Sequence, residues 1–261
     1  MVNTKITDLS ALAELELLEK LVIKKSKVWD LSPIQNLKKL EVLKCDGPDL
    51  KNIRPIGNLK SLKSLDLSYS GILDISPIEH LTNLETLCLS NTKVGTLFPI
   101  RNLQKLLHQQ VKNTNIVDLD SINKPHQIKT LSIGSQLTIK GKLPTFSNVE
   151  SLEIEGARMD FSSLEHSTKL RYLTLVYNDM SDVSFLQNFP QLLSLSLVGN
   201  EVSNIDAVRH CTHLQNLDLY WTDVADIEAL TALNRLKLVK LQKSRVTDLT
   251  PLKSHIEAGL E

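Results

Sequence analysis

Aromatic residues are scarce in this sequence: five Phe, four Tyr and two Trp among 261 residues. That excludes a core built on large rings and makes the position of each Tyr and Trp informative. Cysteine is scarcer. Cys45, Cys88 and Cys211 are an odd, widely spaced set, which is no disulfide framework and indicates a reducing compartment. Charge of one sign is missing as well. Thirty Lys and Arg balance 30 Asp and Glu, so no broad basic field exists to draw in nucleic acid or a membrane surface. Glycine occurs nine times, and neither GxGxxG nor GxxxxGKS/T occurs, so no phosphate loop and no cofactor are expected. No run approaches 18 consecutive apolar residues, so no membrane span is expected. The N-terminus, MVNTKITDLSALAELELLEK, lacks a basic segment ahead of an unbroken apolar stretch. No signal peptide is expected and the expected location is cytoplasmic, although a fragment of a secreted or surface protein has the same features.

What the chain has in abundance is self-similarity. Runs of the form apolar-x-x-apolar-x-apolar begin at Leu18, Leu40, Leu62, Leu84, Leu106, Ile128, Val149, Leu170, Leu192, Leu214 and Leu236. The step is 22 residues except for two steps of 21 between Ile128 and Leu170. The second half of the unit recurs as VWDLSPI, ILDISPI, VGTLFPI, VADIEAL and VTDLTPL. The last two apolar residues of each run alternate, so they share one face of a short strand. A strand this short cannot bury its apolar face alone, and stacking in parallel on its neighbours closes a continuous core. Pro33, Pro55, Pro77, Pro99 and Pro251 would break a long helix in the other half, so 3₁₀ or extended segments are expected there.

These residues resemble the leucine-rich repeat family, in the 22-residue form of bacterial internalins and of the regulatory leucine-rich repeat proteins of protein phosphatase 1. Residues 74–94, DISPIEHLTNLETLCLSNTKV, are especially similar to an internalin repeat. The resemblance covers residues 6–253. It implies an α/β solenoid, a horseshoe with a parallel β-sheet on its concave face and short 3₁₀ or extended segments on its convex side. The expected organisation is a partial N-terminal repeat or cap over 1–17, eleven repeats over 18–253, and a short C-terminal cap or tail over 254–261.

Small polar residues recur three positions after each strand's last apolar residue: Ser26, Ser70, Thr92, Thr114, Asn178, Asn200, Thr222 and Ser244. The family usually has Asn there, laddering hydrogen bonds between turns, and Ser or Thr can supply part of that. Two departures stand out. Gln109 occupies a core Leu position in LLHQQV, and the units near IGSQLTIKGKLPTF and IEGARMDFSSL lose one residue and the DxSPL half. A local irregularity or change of curvature is expected there.

The residues between the repeat leucines face solvent from the sheet. All four tyrosines, Tyr69, Tyr172, Tyr177 and Tyr220, fall on these positions, as does Trp221. Tyr172, Val176, Tyr177, Val198, Tyr220 and Trp221 come from three successive units, with Glu153, Glu155 and Asp218 at their border. An apolar patch rimmed by charge has the anatomy of an interface; packing between neighbouring strands is the alternative use of such rings. Lys20, Lys24, Lys25 and Lys44 occupy the same columns at the other end, where a solvated face is the simpler reading. His210-Cys211-Thr212-His213 has too few ligands for a closed zinc site, and Cys211 falls on a core position. Cys88 with His108 on the next strand would be the one nucleophile–base pair, at a diagonal too long for a hydrogen bond. The sequence therefore points to a non-enzymatic scaffold, monomeric when free, that grips a protein partner on its concave face and acts by occlusion or recruitment. Among bacterial proteins of this type that means an inhibitor or immunity protein, an effector or an adhesin-like protein. A regulatory subunit of a Ser/Thr phosphatase and a repeat fragment of a longer surface protein are the alternatives.

Overall fold

A computed structural model describes residues 5–117, 119, 122, 127–139 and 141–257; of 135–138 only the backbone is described. It falls into two compact units, Met1–Lys124 with Ser132–Leu137, and Pro125–Leu131 with Thr138–Glu261. Each unit is the same ladder: a strand, a corner, a 3₁₀ turn, and a return to the next strand.

Among the described residues eleven strands stand in the sheet in chain order, paired in parallel from β1 to β5 and from β7 to β11. They are β1 (Lys20–Ile23), β2 (Val42–Cys45), β3 (Ser64–Asp66), β4 (Thr86–Cys88), β5 (His108–Thr114), β6 (Thr130–Ile139), β7 (Ser151–Ala157), β8 (Tyr172–Val176), β9 (Ser194–Ser196), β10 (Asn216–Asp218) and β11 (Leu238–Lys240). Register follows the repeat. Leu21, Leu43, Leu65 and Leu87 stand side by side in the first unit, as do Leu152, Leu173, Leu195 and Leu217 in the second. One repeat supplies Leu62, Leu65, Leu67, Ile72, Ile75, Ile78 and Leu81 to the interior, all buried. Each such side chain contributes roughly 1.5–3 kcal/mol of transfer free energy, so burial of the leucine columns sets the register.

The 3₁₀ turns are where the proline-bearing halves led us to expect them: Ser32–Ile34, Arg54–Asn58, Ser76–Ile78, Phe98–Ile100 and Thr250–Leu252 carry Pro in their first two positions. Their start is set two residues earlier, by an Asp, Asn or Thr side-chain oxygen that accepts the backbone N–H two residues on, and the proline-free turns Ser184–Asn188 and Asp206–His210 start in the same way. Asp74 takes Ser76 N–H at 2.7 Å, Asp182 takes Ser184 N–H at 2.8 Å, and Asn204 takes Asp206 N–H at 2.7 Å. This is the local bond that Asp and Asn form most readily in turns. The serine bonds also hold the Asp74 and Asp160 carboxyls below their ordinary range.

The irregular stretch shows itself in strand length. β5, β6 and β7 run for 7, 10 and 7 residues, against 3 in β3, β4, β9, β10 and β11. At the end of the described chain, the tail forms one helix, α1 (Lys253–Glu257), whose His255 is buried with Nε2 3.0 Å from the Leu233 carbonyl.

Gln109 sits in the leucine column, opposite Leu87, and only 5% of it is exposed. Its Oε1 is buried without a hydrogen-bond partner among the described residues. A buried, unpaired amide oxygen costs about 1–3 kcal/mol. Gln109→Leu is therefore expected to raise stability by about 2 kcal/mol, seen as a higher urea midpoint with an unchanged slope; a midpoint at or below wild type would mean that the site has a partner for the amide.

Candidate functional site

At nine repeats the chain turns at a tight corner with a left-handed backbone. Lys25, Tyr69, Asn91, Asn113, Tyr177, Trp221 and Lys243 have φ between 52° and 61°, and Gly156 and Gly199 have φ of 68° and 66°. These residues recur at the repeat step; all but Gly156, which precedes Ala157, stand one position before a buried or half-buried Ser, Thr or Asn. Glycine and asparagine enter this region at little cost, whereas a bulky aromatic residue there is an outlier. Three of the five site aromatics, Tyr69, Tyr177 and Trp221, therefore sit at strained corners just past the strands β3, β8 and β10.

All three are exposed: Tyr69 by 64%, Tyr177 by 45% and Trp221 by 55%. In the second unit the corners line up as Tyr177, Gly199, Trp221 and Lys243. Backbone bonds tie them together, from Tyr177 N–H to Val198 O (3.0 Å), Gly199 N–H to Tyr220 O (3.1 Å) and Trp221 N–H to Gln242 O (3.0 Å). The Tyr177 ring lies across Gly199, where a Cβ would overlap it, and meets Trp221 edge to face with ring centroids 6.0 Å apart. The Lys243 ammonium stands 5.1 Å from the Tyr220 ring centroid and 5.4 Å from that of Trp221. The Tyr220 hydroxyl oxygen, accepting from it, pushes the Lys243 pKa up.

The other expected residues are distributed as follows. Val176, Val198 and Tyr220 are half-buried in the column beside the corner row. Glu155 is the register partner of Val176, and Glu153 of Thr174, so both carboxylates stand one strand away. Asp218 is already engaged: it accepts Tyr220 N–H at 3.0 Å and pairs with Lys240 Nζ at 3.3 Å. Tyr172, 49% exposed, opens β8 and pairs in register with Ser194. It therefore stands at the far end of the strand from Tyr177, roughly 16 Å away at 3.3 Å per residue. Tyr69 belongs to the first unit. Within the second unit, the structure thus brings Tyr177, Tyr220 and Trp221 together and leaves Tyr172 at the other end of β8.

Sequence reasoning missed Gly199, Lys243 and a second column one residue past the buried polar ladder: Arg158, Asp179, Glu201, Asp223 and Arg245. The same 21- and 22-residue step that exposes the leucines marks these positions too.

In the first unit, Lys44 faces Asp66 in register and Lys24 Nζ is 3.7 Å from the Asp66 carboxylate, so the lysine patch surrounds an acid. Cys88 pairs in register with Gln110, with Sγ 3.5 Å from Oε1, whereas His108 pairs with Thr86. Burial, with Asp66 adding to it, pushes the Cys88 thiol up to about 11, the reverse of what a nucleophile needs. Cys45 and Cys211 are core residues whose thiols burial pushes up to about 12. Among the described residues no cluster of His, Cys, Asp and Glu fits a metal, and no helix is long and apolar enough to cross a membrane.

Residues 60–102 match the family model for leucine-rich repeats in two copies. Among curated proteins none matches the sequence. Solved structures do. An internalin of Listeria monocytogenes, InlF, matches with a TM-score of 0.77 at 24% identity, over 97% of this chain and 82% of that one. A leucine-rich repeat protein of Leptospira interrogans matches with 0.70 at 21%, over 95% and 72%. The internalin InlC2 of Listeria monocytogenes matches with 0.53 at 26%, over 76% and 78%. The repeat step, the parallel ladder with its buried leucine columns and these matches agree: this chain has the leucine-rich repeat fold.

Proposed function

We propose that the protein binds a protein partner on the open face of the sheet and its corner row in the second unit. It acts by occlusion or recruitment and without catalysis. Tyr177, Tyr220 and Trp221 are the anchors, Val176 and Val198 the apolar floor, and Glu153, Glu155 and Asp218 the polar border. Tyr172 extends the contact along β8, and Tyr69 offers a separate aromatic contact in the first unit. The observation that carries this reading is that Tyr177 and Trp221 stand half-exposed at left-handed corners that Gly, Asn and Lys occupy at other repeats. Such rings cost the fold conformational strain, and Tyr and Trp are the residues enriched at interface hot spots. The raised Cys88 pKa and the open sheet around it favour a binding role over a nucleophilic one. Three unpaired thiols fit a reducing compartment, so the reading places the protein in a cytoplasm, monomeric when free.

Hydroxyl-radical footprinting of the protein with and without a partner captured on it tests the site. Oxidation of Tyr177 and Trp221 is expected to fall several-fold in the complex, with Trp29 unchanged as the internal reference. Equal labelling of the two rings in free and bound protein would put the contact elsewhere.

A further inference from the structure

Resting on the protein-binding reading, we propose that Gly199 is the positioning residue of this surface. Having no side chain, it lets the Tyr177 ring lie over the neighbouring repeat against Trp221, so that a partner meets the two anchors as one preformed ridge. Two glycines of the second unit stand at left-handed corners, Gly156 with φ of 68° and Gly199 with φ of 66°. A Cβ added at Gly156 would meet nothing within 4 Å, whereas one added at Gly199 would overlap Cδ1 and Cε1 of the Tyr177 ring. The backbone alone does not call for glycine here, because Tyr177, Trp221 and Lys243 hold the same corner in this unit with φ of 55°, 55° and 60°. What sets position 199 apart is the ring that fills the space its side chain would need.

That space decides where the ring goes. The Tyr177 and Trp221 corners are two repeats apart, roughly 10 Å between backbones at strand spacing, yet the ring centroids are 6.0 Å apart. A corner without a side chain lets one ring cross to the other. Hydrogen bonds from Tyr177 N–H to Val198 O at 3.0 Å and from Gly199 N–H to Tyr220 O at 3.1 Å tie the repeats together here, so the ring rests on a fixed floor. At the next corner Lys243 stands 5.4 Å from the Trp221 centroid and restrains that ring too. Both rings nevertheless stay about half exposed. Side chains already ordered in the free protein lose less freedom when a partner covers them, which is how preorganisation strengthens binding.

The test compares Gly199→Asn with Gly156→Asn. Asn91 and Asn113 hold this corner with φ of 58° and 52°, so both variants keep the backbone and differ in whether a ring must move. In wild type, nuclear Overhauser contacts are expected between the Tyr177 and Trp221 ring protons. The Gly199 α-protons are expected upfield of their position in Tyr177→Asn, where the ring is gone. Gly156→Asn should keep the ring contacts and Gly199→Asn should lose them. Affinity for the partner captured in the footprinting experiment should fall about tenfold in Gly199→Asn and stay within about twofold of wild type in Gly156→Asn. With Tyr177→Asn already in place, Gly199→Asn should change affinity no further, since no ring is left to displace. Ring contacts that survive Gly199→Asn, α-protons that Tyr177→Asn does not move, or an equal affinity loss with and without the Tyr177 ring overturns the proposal. Should Gly199→Asn fail to fold, the wild-type and Tyr177→Asn spectra still decide it. The wider reading is tested separately. If replacing Tyr177 and Trp221 together by Asn abolishes binding and Gly199→Asn leaves it unchanged, the positioning role falls and the binding surface stands; if no variant matters, both fall.

Discussion

Asn200→Ala should lower stability by about 4 kcal/mol, a loss read in the urea midpoint. The side chain is 4% exposed and serves two adjacent repeats at once. Its Nδ2 donates to Leu197 O at 2.7 Å in its own repeat and to Leu175 O at 2.8 Å in the preceding one. Its Oδ1 accepts Asn178 N–H at 3.0 Å and Met180 N–H at 3.2 Å. Truncation strands four backbone groups in the interior, each worth about 1–3 kcal/mol if it finds no replacement, and water recovers some of them. The effect should scale with the number of bonds. Asn178 makes two bridging bonds, from Ala157 N–H at 2.8 Å and to Ile154 O at 3.0 Å, so Asn178→Ala should cost about 2 kcal/mol. Thr222 bonds only Leu219 O, three residues back at 2.9 Å, so Thr222→Ala should cost about 1 kcal/mol. An equal loss at all three positions would mean that the cross-repeat bonds add nothing to the local one.

The ladder also shows how far the sequence could be read. Hydrophobic period and strand register are the same information, because a leucine column exists only if Leu65 lies beside Leu87 and Leu173 beside Leu195. The 3₁₀ turns were legible for a similarly local reason: a side-chain oxygen two residues ahead starts the turn, with φ fixed by Pro in turns such as Ser76–Ile78 and without Pro in Ser184–Asn188 and Asp206–His210. The site was less legible. That Tyr177 and Trp221 are exposed followed from their place in the repeat. That they meet each other did not, since contact across 44 positions depends on the empty space at Gly199 and on left-handed corners, neither of which alternation reveals. Asp218 read as a border acid, yet Lys240 on the next strand occupies it.

Replacing Tyr177 and Trp221 together by Asn should separate the fold from the function. Both positions have φ of 55°, and Asn91 and Asn113 occupy the same corner at 58° and 52° in the native chain. Removing two bulky residues from the left-handed region relieves about 1–2 kcal/mol. Losing the edge-to-face contact and the Lys243 interaction costs a similar amount, about 0.5–1.5 kcal/mol for the first and 0.5–1 for the second. The opposing effects leave the stability of the double variant within about 1 kcal/mol of wild type. Binding has no such compensation. Two central aromatic anchors at about 2 kcal/mol each amount to about a thousandfold in affinity for the partner, measurable by titration calorimetry alongside thermal unfolding of the same samples. A double variant that unfolds early would show the rings to be structural. One that keeps both its melting temperature and its affinity within threefold would show that strained, exposed aromatics at these corners serve neither purpose, and the proposed surface would have to be sought elsewhere on the ladder.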